Sequence, residues 1–203
     1  MKIFCDIDDT VLKSSKRIIE MLNEKYGLNK SEKDLKDWNY TSVYNQLTDG
    51  DVLSLFEDDT FFDKVQIFEE SVFVLKGHDV YFCTKGTDEN LRKKEKKIKE
   101  IFKIKYSFIG LGFNDGFDKS KVDMFNAIQI DDRYDSLEKT NASIKILFKN
   151  YNNFEWQKVP DGINNIYVVN TWKEILQIID FIGRNFNEPC FYWEEWFGEN
   201  RNM

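Results

Sequence analysis

Two hydrophobic periods take turns along the chain. Short apolar runs over residues 2–5, 80–84, 106–110, 127–131, 144–148 and 166–169 each end in polar or turn-forming residues. Their length and their content of Ile, Val, Phe and Tyr predict buried strands. Between them the spacing changes to that of helices. Asp88 caps a predicted helix over 89–103, with Leu91, Ile98, Ile101 and Phe102 on one face. The lysines at 93, 94, 96, 97 and 99 read as its solvated side. Thr171 and Glu174 form a capping box before a helix carrying Trp172, Ile175, Leu176, Ile179 and Ile182. Strands alternating with helices imply a parallel sheet with right-handed crossovers, hence an α/β fold.

Residues 15–65 interrupt this alternation. They predict short helices over 16–26, stopped by Gly27, then over 31–38 and 51–57. Some fifty residues are too many for one crossover, so the segment reads as a small helical cap over the active edge of the sheet. The expected organisation is a catalytic core of 1–14 and 66–186, a cap of 15–65 and an aromatic tail of 187–203. That tail contains Cys190-Phe-Tyr-Trp-Glu-Glu-Trp-Phe197. Its aromatic rings should leave water by packing on the core, with a homodimer contact as the alternative.

Composition narrows the functions. The chain has 203 residues, 41% of them hydrophobic, enough for one sizeable core. A net charge of −7 argues against a polymeric nucleic acid as partner, because such proteins carry a basic footprint. Small anionic substrates remain open, needing only a local basic spot. No run is apolar enough to span a bilayer, and no signal peptide precedes the first strand, so a cytoplasmic protein without a membrane partner is expected. Cys5, Cys83 and Cys190 make no C-x-x-C pair, and the first two read as small buried hydrophobes. His78, among Gly77 and Asp79, reads as part of a surface turn.

The candidate chemistry sits at strand ends. The first strand runs into Asp6, Asp8 and Asp9, the second ends at Thr84, and a later one ends at Asp131-Asp132. Alternate residues of a strand face the same way, so Asp6 and Asp8 should converge, with Asp9 pointing elsewhere. Convergent carboxylates suit a hard cation such as Mg²⁺ and a phosphoryl group to be attacked. In parallel sheets, sites gather at the carboxyl ends of strands. The competing reading of the first acids is a turn or helix cap, and Thr84 alone could equally be a cap.

Asp6-x-Asp8-x-Thr10, Val80-Tyr-Phe-Cys-Thr84 and Gln129-Ile-Asp-Asp-Arg133 with Asp135 together resemble the haloacid dehalogenase-like phosphotransferase superfamily. The fit is best to its 5′(3′)-deoxyribonucleotidases, and Thr60-Phe61-Phe62-Asp63, Phe148 with Tyr151-Asn152, and Thr171-Trp172-Lys173-Glu174 extend it. The resemblance implies a Rossmann-like parallel sheet flanked by helices, with a small cap inserted after the first strand. It implies Mg²⁺-dependent hydrolysis of a nucleoside monophosphate through an aspartyl-phosphate. Asp6 would be the nucleophile and Asp8 the general acid and base, with Thr10 in support. Asp6, the Asp8 backbone carbonyl and Asp131 would hold Mg²⁺, while Asp132 would orient the lysine or a metal-bound water. Thr84 and Lys119 would grip the phosphoryl oxygens. Asp118-Lys119-Ser120 resembles the third motif, although Lys121 has the better spacing to Asp131. Phe62 and then Trp38 are candidates to stack on a base, and Lys85 either reaches the substrate phosphate or points to solvent. Asp9 stands where the deoxyribonucleotidase pattern has glycine. Other readings are a phosphatase of another small ester or of a nucleic-acid 3′-phosphate, and a non-catalytic metal- and phosphate-binding regulator.

Overall fold

A computed structural model describes residues 1–38 and 40–185. Six strands, all parallel, form one sheet: β1 (Lys2–Cys5), β2 (Asp79–Lys85), β3 (Tyr106–Leu111), β4 (Ile128–Asp131), β5 (Ile144–Phe148) and β6 (Ile166–Val169). Their order is β3-β2-β1-β4-β5-β6, which places β1 at the centre, where successive strands begin to be added on the opposite side. A parallel sheet must be covered on both faces by its crossovers, which explains the near-continuous apolar strands. Ile3, Cys5, Phe82, Ile130 and Ile146 belong to the main core on one face. Phe4, Cys83 and Leu111 pack with Met124, Ala127 and Ala142 on the other.

The described residues form seven α-helices: α1 (Ser14–Tyr26), α2 (Asp49–Leu55), α3 (Asp59–Lys64), α4 (Glu69–Leu75), α5 (Asp88–Ile101), α6 (Tyr134–Lys139) and α7 (Trp172–Asn185). The capping box of α7 forms as expected, with Glu174 accepting from the Asn170 and Thr171 N–H groups at 2.8 Å each. At α5 the cap is Thr87 rather than Asp88: its hydroxyl accepts from the Asn90 N–H at 3.3 Å, and Asp88 becomes the first helical residue. The acid then lies in the first turn, where the helix dipole favours it.

The chain leaves the sheet after Leu12 and returns at Ile67, where the two residues bridge in antiparallel fashion. The Lys13 N–H donates to the Gln66 carbonyl at 2.8 Å, and the Phe68 N–H to the Val11 carbonyl at 2.9 Å. Within the excursion α1 ends at Gly27, whose φ of +63° is the left-handed stop that glycine adopts without cost. The helix expected over 31–38 is a single 3₁₀ turn, Glu32–Asp34. Ser31 and Asp34 cap each other there, and the turn chemistry wins over a longer helix. α2 begins two residues before its expected start because Thr48 and Asp51 form a capping box. Ile18, Leu22, Leu35, Tyr44, Val52, Phe61 and Phe62 of this excursion join the main core.

Cys5 and Cys83 are buried free thiols. Burial pushes the Cys83 thiol up to about 11 and Cys5 well above its ordinary value, leaving both inert. The aromatic tail and Cys190 lie outside the described residues. Among the described residues no helix is long and apolar enough to cross a membrane.

Candidate active site

Strand register builds the site. Cys5 lies level with Phe82 on β2 and with Ile130 on β4, so the next positions, Asp6, Cys83 and Asp131, emerge together. The Asp6 N–H donates to the Ile130 carbonyl at 2.9 Å, extending β1 by one residue. Asp6, Thr84, Asp131 and Asp132 are all buried. A 3₁₀ turn, Lys119–Lys121, brings the buried Lys119 ammonium to 2.6 Å from Asp6 Oδ1 and 2.7 Å from Asp131 Oδ2. Lys121 on the same turn is exposed, which separates the two candidate lysines. Burial alone would lower the Lys119 pKa, yet Asp131 and Asp6 more than offset it and hold the ammonium well above the usual lysine range.

The acids outnumber that lysine. Asp6, Asp131 and Asp132 each offer a carboxylate oxygen within 4.8 Å of the others. Burial raises the Asp131 pKa, Lys119 draws it back in part, and the charge of Asp6 raises it again. Burial and the charges of Asp9, Asp131 and Asp6 push Asp132 well above the carboxylate range. Lys119 pairs with Asp6 and Asp131 and makes no ion pair with Asp132, which of the two expected roles leaves that of orienting a metal-bound water. Asp132 Oδ2 instead accepts the Trp156 indole N–H at 2.7 Å, because Trp156 is carried in by the loop between β5 and β6. The Arg133 N–H fixes Asp131 Oδ1 at 3.0 Å.

Asp8 converges on the site as expected, but with a partner that the sequence assigned to solvent. Lys94 of α5 is only 1% exposed, and its ammonium pairs with Asp8 Oδ2. The same ammonium donates to Thr84 Oγ1 at 3.2 Å and to the Lys85 carbonyl at 2.7 Å. Thr84 thus accepts from Lys94 and keeps its own hydroxyl hydrogen free to donate. The Ser14 hydroxyl donates to Asp8 Oδ1 at 2.7 Å.

Asp9 is no bystander facing away. It lines the same cavity as Asp6 and Asp8, at a φ of +49°, a left-handed conformation that aspartate tolerates better than most residues. Its Oδ1 accepts the Ser15 N–H at 2.8 Å and its Oδ2 the Ser15 hydroxyl, securing the first turn of α1. Burial pushes the Asp9 carboxyl up to about 7 against those hydrogen bonds. The Tyr40 hydroxyl donates to Ser15 Oγ at 3.1 Å and ties the excursion to this loop.

Above these groups lies a cavity of about 470 Å³. Asp6, Asp8, Thr84 and Lys119 line it, with Trp38, Tyr40, Phe56, Phe117 and Trp156 around them. Trp38, 45% exposed, is where a stacking ring was expected. Phe62 is not: it is 8% exposed and packs edge-on against Phe61 in the core, 4.8 Å between ring centroids. Helical rotation within α3 turns it inward, and Phe56 and Trp156 take the wall positions. Thr10 is also absent from the wall; it is fully buried, its carbonyl accepts the Trp172 indole N–H at 3.1 Å, and its hydroxyl has no partner. Lys85 reaches the cavity and donates to Ser136 Oγ at 2.9 Å.

The donor set fits a hard divalent cation. Three buried carboxylates converge with one ammonium among them, and burial first, with neighbouring carboxylate charge after it, raises the pKa of Asp131 and Asp132. All the donors are oxygens, which suits Mg²⁺.

No protein-family model matches the chain, and no curated protein matches it. Solved structures do. An L-2-haloacid dehalogenase from Xanthobacter autotrophicus superposes with a TM-score of 0.57 at 8% identity, covering 89% of this chain and 98% of its own. A magnesium-bound HAD-hydrolase from Bacillus subtilis gives 0.51 at 14% identity, covering 88% and 98%. A HAD-superfamily hydrolase of subfamily IA from Geobacter sulfurreducens gives 0.50 at 14%, covering 88% and 95%. The fold of this chain is therefore that of the haloacid dehalogenase-like hydrolases, a Rossmann-type α/β sheet flanked by helices.

Proposed function

We propose that this chain is a Mg²⁺-dependent phosphate monoester hydrolase acting through an aspartyl-phosphate on Asp6. The observation that carries the reading is Asp6 Oδ1 held at 2.6 Å by Lys119 on a cavity wall that Asp8 and Thr84 share. An Asp6 carboxylate oxygen attacks phosphorus and the ester oxygen leaves, taking a proton from Asp8. Asp8 then removes a proton from the water that cleaves the aspartyl-phosphate and restores Asp6. Lys119 and the free hydroxyl hydrogen of Thr84 stabilise the phosphoryl oxygens. Mg²⁺ held by Asp6, the Asp8 backbone carbonyl and Asp131, with Asp132 beside them, would neutralise the charge that otherwise keeps one anion from attacking another.

Within that class a nucleoside monophosphate is the substrate favoured, because Trp38, Phe56 and Trp156 offer flat rings for a base around the phosphoryl site, and the motif resemblance favours the deoxy sugar. A small free ester suits the acidic chain better than a polymer. Carbon–halogen cleavage is the rival raised by the Xanthobacter dehalogenase. Attack on neutral carbon needs no cation, and three convergent carboxylates would repel a substrate bringing its own.

The test is phosphate release from a panel of deoxy- and ribonucleoside monophosphates and sugar phosphates, with and without Mg²⁺, beside halide release from 2-haloacids. Deoxynucleotides should lead, and chelation should stop turnover. Equal rates on ribo, deoxy and sugar esters would remove the nucleotidase assignment and leave the phosphatase; halide release alone would remove both. Asp6→Asn should lower turnover by at least 10³-fold, on the order of removing a covalent nucleophile, with an unchanged circular dichroism spectrum.

A further inference from the structure

A smaller cavity of about 150 Å³ adjoins the larger one and shares Lys85, Phe117, Lys119 and Ser136 with it. Asp6, Asp8 and Thr84 line only the larger cavity, so the annex lies beyond the reacting carboxylate. Three lysines border it: Lys85, Lys119 and Lys139. Lys119 is committed to Asp6 and Asp131.

The two acids of the annex are committed as well. Asp135 accepts from Arg133 through both oxygens, at 3.0 and 3.3 Å. Asp118 accepts the Ser120 N–H at 3.0 Å and the Ser120 hydroxyl at 2.8 Å. Lys85 and Lys139, in contrast, have no carboxylate partner within salt-bridge distance among the described residues. Lys85 is half-buried, and burial together with the nearby Lys119 charge lowers its pKa. Asp131 and Asp135 act on Lys85 only from a distance, so its half-buried ammonium lacks a direct carboxylate contact, and a bound anion would lower the cost of its burial. The buried Ser136 hydroxyl accepts from Lys85 at 2.9 Å, so its own hydrogen is left for another acceptor.

We propose that this annex binds a second phosphate of the substrate, so that the preferred substrate is a bisphosphorylated small molecule of the nucleoside 3′,5′-bisphosphate class. One phosphate meets Asp6; the other is held by Lys85, Lys139 and the Ser136 hydroxyl. The inference rests on the phosphatase reading above and deepens it by naming what the leaving group carries. It also gives the lysine after Thr84 a use that neither the reacting centre nor the fold requires.

The experiment compares kcat/KM for a nucleoside 3′,5′-bisphosphate with that for the matching 5′- and 3′-monophosphates. The ratio within one preparation is independent of the fraction of protein that is folded. The native protein should favour the bisphosphate at least tenfold, chiefly through KM. Lys139→Glu should reduce that ratio at least fivefold, and Lys85→Met should bring it near one. Phosphate release from the monophosphates with a native ratio near one would overturn the annex alone. A ratio that survives both substitutions would overturn it too. No release from any of the three esters in the presence of Mg²⁺ would overturn the nucleotidase reading and the annex with it.

Discussion

Lys94 lies three residues after Leu91 and four before Ile98, on the apolar stripe of α5 rather than among the lysines that surround it. That spacing was the signal for a buried lysine, and charge patterning alone hid it. Its ammonium joins Asp8, Thr84 and the end of β2, so it orients both the proposed acid and a phosphoryl ligand. Lys94→Met should lower stability by about 3 kcal/mol, the low end for breaking a buried pair because Asp8 keeps some contact with water. Turnover should fall on the order of a hundredfold from misplacement of Asp8. Urea denaturation and kcat on the same preparation check both effects. Asp9 teaches a related lesson. Its bonds to Ser15 and its positive φ show an acid serving the loop that carries its neighbours, a role that strand alternation could not suggest.

At the scale of elements, the start of α5 is where the excursion grips the core. Asn90 Nδ2 donates to the Phe56 carbonyl at 2.7 Å, Lys93 pairs with Asp59 at 2.7 Å, and the Thr87 hydroxyl bonds Glu57. These contacts hold the C-terminal end of α2 over Thr84 and set the wall that carries Phe56. Asn90→Ala leaves the Phe56 carbonyl without that donor, at a cost of about 1 kcal/mol. KM should rise about three- to tenfold for nucleotides while kcat changes less than twofold, because the loosened wall binds the base and not the phosphoryl group. Steady-state kinetics and a thermal melt check the pair. The capping residues of α7 were legible because a capping box is local, and α2 was displaced only by its own box at Thr48. The 3₁₀ turn at Glu32–Asp34 was not legible as such, since its length depends on what packs beneath it.

Across the whole molecule, a parallel sheet collects acids from two distant parts of the chain and leaves them with too little positive charge. Asp9, Asp131 and Asp132 have folded pKa values raised by burial first and then by neighbouring carboxylates, Asp8 for Asp9, Asp6 for Asp131, and Asp9 with Asp131 for Asp132. An acid whose pKa is raised on folding stabilises the fold below its unfolded value, about pH 4, and that contribution is lost as pH rises through the folded value. For Asp9 the folded value is about 7. The metal-free protein should therefore lose stability between about pH 4 and 7. Mg²⁺ should restore it, raising Tm more at pH 8 than at pH 5.5 because it binds the ionised acids. At a hundredfold excess over Kd the gain is about 2.7 kcal/mol, and a chelator should reverse it in a differential scanning experiment.

The chain by itself determined the strands, the parallel sheet and the positions of Asp6, Asp8, Thr84 and Asp131, because each is written in local periodicity or in a motif a few residues long. Only the tertiary structure decided between Lys119 and Lys121, turned Phe62 into the core, placed Trp156 on Asp132 and buried Lys94 beneath Asp8. Those outcomes depend on which helix face meets the sheet and on which loop crosses the strand ends. Both are set by packing between segments far apart in sequence, where no local pattern records the partner.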